Sequence, residues 1–80
     1  MADSNSLNIA GVRVREARFK HKPALTQDQL SGKLAAIGVS VDRAAISKIE
    51  IGARCVLDFE VKAFARVLGV TVGWLLGERK

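Results

Sequence analysis

The sequence predicts an all-α protein built from five helices in a single domain. Apolar residues recur at spacings of three and four, no run of four or more residues alternates apolar with polar, and helix-start and helix-stop residues punctuate the chain five times. The length agrees: 80 residues leave room for one small domain and none for a deep catalytic cleft.

The first helix is expected from about Asn8 to His21, with Ala10, Val14 and Ala17 on its inner stripe, and Pro23 ends it. The second starts at Thr26, whose hydroxyl can cap the amide of Gln29 while the Gln29 side chain reaches back. Leu25 and Leu30 form the accompanying apolar staple. Leu30, Leu34 and Ile37 face inward, and Gly38 follows the end. Asp42 caps the third helix, Ile46 and Ile49 point to the core, and Gly52 stops it. The fourth runs from Asp58 with Val61, Phe64, Ala65 and Leu68 inside, up to Gly69. Thr71 caps a short fifth helix containing Trp74, Leu75 and Leu76. Residues 1–7 read as a flexible tail, 8–77 as the folded domain and 78–80 as a charged end.

Composition narrows the function. Thirteen Lys and Arg against eight Asp and Glu give a net charge of +5, and the pI near 10.0 points to a polyanionic partner. A single cysteine and a single histidine argue against disulfide scaffolds and zinc folds. No nucleophile, base and acid stand in catalytic spacing, so no enzyme, metal or cofactor is expected. No leader-like or membrane-length apolar run is present, so a cytoplasmic protein without membrane association is expected.

Helices two and three carry the sharper signal. Two short capped helices in succession, with apolar residues where they would cross, form a helix-turn-helix pattern. With Ile46 and Ile49 inside, Arg43, Ala44, Ser47 and Lys48 project outward. Arg can bond a guanine edge twice, Ala and Ser permit close approach, and Lys reaches guanine or phosphate.

Four stretches, GVRVREAR at 11–18, LTQDQL at 25–30, AAISKIEIG at 44–52 and FEVKAFARVLGVTVGWLL at 59–76, resemble the phage-repressor or Cro-like helix-turn-helix family. The resemblance spans roughly residues 9 to 77. It implies a lambda-repressor-like fold and a sequence-specific DNA-binding regulator, most often a repressor acting as a homodimer on a palindromic operator. Position by position, it implies that Arg43, Ala44, Ser47 and Lys48 face bases and backbone. Gln27 and Arg54 would meet phosphates, as would Arg18 or its neighbours Lys20 and Lys22. Glu50 would hold the third helix through Arg15 or Arg18. The apolar loop Cys55, Val56 and Leu57, with Leu76 of the fifth helix, is the expected subunit contact. The chain departs from the family in a turn between helices two and three about five residues longer than the usual four, and in Ala44 and Ala45 where Gln or Ser is common.

The alternative is an antitoxin or adaptor whose helices serve as a protein-binding scaffold. The apolar loop and the two alanines fit it. No small-molecule domain is expected in either reading.

Overall fold

A computed structural model describes residues 6–78, and within them the protein is all-helical with no strand. The helices are α1 (Gly11–Lys20), α2 (Gln27–Ala36), α3 (Arg43–Glu50), α4 (Asp58–Leu68) and α5 (Val72–Leu75). Residues 1–5 of the expected tail, together with Arg79 and Lys80, lie outside the described residues.

Local chemistry sets the boundaries. Thr26 Oγ1 accepts the Gln29 amide at 3.0 Å while Gln29 Oε1 accepts the Thr26 amide at 2.9 Å, the reciprocal cap expected for α2. Asp42 accepts the Ala45 amide at 2.8 Å to start α3, and Thr71 accepts the Trp74 amide at 3.0 Å to start α5. The first helix begins three residues later than the periodicity suggests: Ala10 stands at its N-cap position without a capping side chain, and Asn8 Oδ1, two residues upstream, accepts the Gly11 amide at 2.6 Å.

Ser6 and Leu7, expected in the tail, are held against the domain. The Leu7 amide donates to Gly52 O at 2.8 Å, and Asn8 Nδ2 donates to Ile49 O at 3.0 Å and Arg54 O at 2.8 Å. The carbonyls of Gly52 and Arg54, just past α3, thereby gain partners, and Ile49 O, which already accepts the Gly52 amide at 3.1 Å, gains a second donor. At the other end, the Glu78 amide donates to Gly73 O at 2.8 Å.

The core gathers one stripe from every helix: Val14 of α1, Leu30 and Leu34 of α2, Ile46 and Ile49 of α3, Phe64 and Leu68 of α4, and Leu75 of α5. Leu25 and Val41, each preceding a cap, are buried with them, which angles the chain into α2 and α3. Six residues, 37–42, separate α2 from α3. The turn therefore exceeds the four residues usual in the resembled family by two, fewer than the five the sequence suggests, because α3 starts directly after its cap, Asp42.

Close approach is built in at two glycines. A Cβ at Gly11 would collide with Ile49 O, so α1 can lie directly on the end of α3. At Gly52, φ is +79° and a Cβ would strike Ser6 Oγ. Only glycine suits both the left-handed turn and the contact.

Candidate nucleic-acid interface

The outer face of α3 carries Arg43, Ala44, Ser47 and Lys48 while Ile46, Ile49 and Glu50 are buried beneath them. Arg43 has a side chain 67% exposed, with only a 3.8 Å approach to the equally open Asp28 carboxylate. Such a pair in water is worth about 1 kcal/mol at most. Lys48 makes no ion pair among the described residues, Ala44 is exposed, and Ser47 is half-buried.

Two shallow hollows flank this face. One, of about 500 Å³, is bordered by Gln27, Asp28 and Arg43, which brings the start of α2 beside the start of α3. The other, of about 440 Å³, is bordered by Ala44, Lys48, Ala53 and Arg54. The expected residues Gln27, Arg43, Ala44, Lys48 and Arg54 thus lie along one side of the molecule.

The arginines divide into committed and open groups. Arg18, expected at phosphate, is buried, its Nε and Nη2 bonding the two Glu50 oxygens at 2.8 and 2.9 Å and its Nη1 bonding Leu25 O at 3.0 Å. Its side chain is turned into the interior, and of Arg15 and Arg18 it is Arg18 that bonds Glu50 and so holds α3. Position 18 falls one residue beyond Ala17 on the inner stripe of α1, so the side chain enters the core where Glu50 awaits it. Gln27 Nε2 joins at 3.1 Å to Glu50 Oε1, leaving its second amide hydrogen for an outside partner.

Arg54 is likewise committed. Its guanidinium spans both Glu60 oxygens at 3.0 and 3.1 Å and donates to Cys55 O, so it shapes the loop more than it reaches outward. Hydrogen bonding from Arg54 is the main cause that holds the Glu60 carboxyl below its usual value, opposed by burial and reinforced by the Leu57 amide.

Two exposed residues escaped the sequence reading. Ile51 is 73% exposed and follows Ser47 and Lys48 by four and three positions, extending the outer face of α3. Its exposure follows from the cap: Gly52 N bonds Ile49 O and Ala53 N bonds Lys48 O, which turns the chain away just after Ile51. Phe19 is exposed yet stacks on the Arg18 guanidinium, 4.6 Å from its ring centroid. An outer-face periodicity continued past Glu50 would have found Ile51. Nothing local in the sequence marks Phe19.

The residues expected at a subunit contact are only partly brought together. Val56 and Leu76 line one apolar groove of about 580 Å³, whereas Cys55 and Leu57 lie outside its lining. The groove's other wall is Leu7 and Ile9, which the sequence places in or beside the tail.

Among the described residues no helix is long and apolar enough to cross a membrane, and no three His, Cys, Asp or Glu converge as metal ligands. Compared with known proteins, the chain matches no family model and no curated protein sequence.

Proposed function

We propose that this protein is a sequence-specific, duplex-DNA-binding regulator of transcription, in which α2 and α3 act as a helix-turn-helix unit and two copies bind a palindromic site. The supporting observation is the sorting of cations. Arg18 and Arg54 are spent on internal carboxylates, while Arg43 and Lys48, on the outer face of α3, are open to solvent. A folding role accounts for the first two and not for the second two.

In this reading α3 enters the major groove. Arg43 and Lys48 donate to guanine or to phosphate, and Ala44 and Ser47 let the helix approach the base edges. Gln27, anchored through Glu50, offers its remaining amide hydrogen to a phosphate beside the first turn of α2. Two copies would place their α3 helices about 34 Å apart on one face of the duplex. Regulation would follow from occlusion of the site, as in a repressor.

The test is selection of bound sites from random duplexes, followed by titration of the chosen site. A palindromic consensus with half-sites one turn apart is expected. Arg43→Ala should cost about 1–3 kcal/mol at one base position per half-site, and Lys48→Ala should weaken binding and flatten its salt dependence. If no duplex is enriched and binding to mixed DNA stays weaker than the order of 100 μM at physiological salt, the antitoxin or adaptor reading replaces this one.

A further inference from the structure

We propose that a second copy of this chain docks in the groove between residues 7–9, α4 and α5, with the two α4 helices antiparallel about a two-fold axis. This rests on the dimeric form of the proposed function and deepens it by naming the surface and its pairing rule.

The groove is apolar, and its walls are fixed. Leu7 and Ile9 are 57% and 62% exposed on one side, Leu76 is 39% exposed on the other, and Val61 lies in the floor. These apolar side chains are gathered along one groove rather than scattered singly, the arrangement an interaction site presents. Leu7 is tied to Gly52 O, and Asn8 is tied to Ile49 O and Arg54 O. The wall therefore stands before any partner arrives, which removes the ordering cost of association.

The charges choose the occupant. The groove carries one acid and one base, Asp58 and Lys62, four positions apart on α4 and so on one face of it. Neither has a salt-bridge partner among the described residues. In a two-fold contact each patch meets its own copy. Antiparallel α4 helices then set Asp58 of each copy against Lys62 of the other, making two cross-pairs over the apolar floor. A polyanion would meet no net positive charge here, and a small apolar ligand would leave both charges unused. No lining residue belongs to α2 or α3, so this contact leaves the outer face of α3 open.

The pairing rule gives a test by mixing, with analytical ultracentrifugation of the full chain in the absence of DNA. The wild type should show a concentration-dependent monomer–dimer equilibrium. Asp58→Lys alone and Lys62→Asp alone each set like charges face to face in both cross-pairs and should weaken dimerisation about tenfold or more. An equimolar mixture of the two variants restores both attractions, and a heterodimer near wild-type strength should form. Leu76→Glu, at an exposed position, should yield a folded monomer by circular dichroism and serves if Asp58→Lys disturbs the start of α4.

A wild type that stays monomeric to the order of 1 mM overturns the proposal and leaves the groove to a different protein. So does a dimer indifferent to Lys62→Asp and Leu76→Glu, or a mixture that fails to recover. A dimer that behaves as described but binds no duplex DNA would sink the proposed function and leave this interface standing.

Discussion

Arg18 and Glu50 meet edge to edge in the interior, with two parallel hydrogen bonds of 2.8 and 2.9 Å joining the end of α1 to the end of α3. Arg18 also holds Leu25 O, and Glu50 also holds Gln27, so the same pair fixes the entry to α2. No buried side-chain nitrogen or oxygen among the described residues lacks a partner. The pair thus sets the relative position of α2 and α3, the relationship on which a groove-entering α3 depends.

Removing one member of this pair should be severe. Glu50→Ala leaves the guanidinium buried and unpaired, and a loss of about 3–5 kcal/mol is expected in urea denaturation. Arg18→Met combined with Glu50→Leu removes both charges and should recover most of that loss. A double variant no more stable than Glu50→Ala would show that the pair is not the source of the effect.

Acid sensitivity should trace to Glu60. Hydrogen bonding from Arg54 lowers its folded-state pKa below the usual 4.5. Its stabilising contribution is therefore complete above about pH 4.5, the unfolded value, and is lost as pH falls through the lower folded value. Denaturation midpoints measured from pH 7 to 3 should drop at the acid end. Glu60→Gln should be less stable at pH 7 and show a flatter acid limb.

Gly11→Ala is expected to destabilise despite the higher helix propensity of alanine. The added Cβ would strike Ile49 O, forcing α1 off α3 and stretching the Asn8 bond to the same oxygen. A cost of about 1–3 kcal/mol by thermal or chemical denaturation fits overpacking of this kind. Gly32→Ala, with nothing near its Cβ, should instead stabilise α2 by about 0.5–1 kcal/mol.

Asp28→Asn should tighten DNA binding severalfold. Asp28 sits beside Gln27 and 3.8 Å from Arg43, holding the cation loosely, and in the proposed complex its charge would repel phosphate. Electrophoretic titration at low and moderate salt reads the change, and unaltered affinity would place Arg43 away from the duplex.

Ile51 should contribute discrimination for thymine. An exposed isoleucine on the face shared with Lys48 suits contact with a C5-methyl group. Replacing operator thymines by uracil, which removes only the methyl, should weaken the wild type at one or two positions and leave Ile51→Ser indifferent there. Equal sensitivity of both proteins would exclude the contact.

Much of the fold was legible in the residues themselves, because capping and stopping are local. Thr26 with Gln29, Asp42, Thr71, Gly52 and Gly69 act on amides and carbonyls within a few positions, so five helices and their inner stripes followed from spacing alone. The outer face of α3 was legible for the same reason: once Ile46 and Ile49 turn inward, Arg43, Ala44, Ser47 and Lys48 must turn outward.

The tertiary structure decided what each charge does. Arg18, Arg43 and Arg54 are alike in sequence, yet Arg18 lies 32 positions from the Glu50 that claims it, and no local pattern reports such a pairing. The N-terminal segment is a second case, since Ser6 and Leu7 read as a tail and Asn8 as the start of a helix until the carbonyls that follow α3 provide partners for Leu7 and Asn8. Periodicity determines which way a side chain points on its own helix. Only packing determines what waits for it there, because burial and pairing are settled by residues distant in the chain.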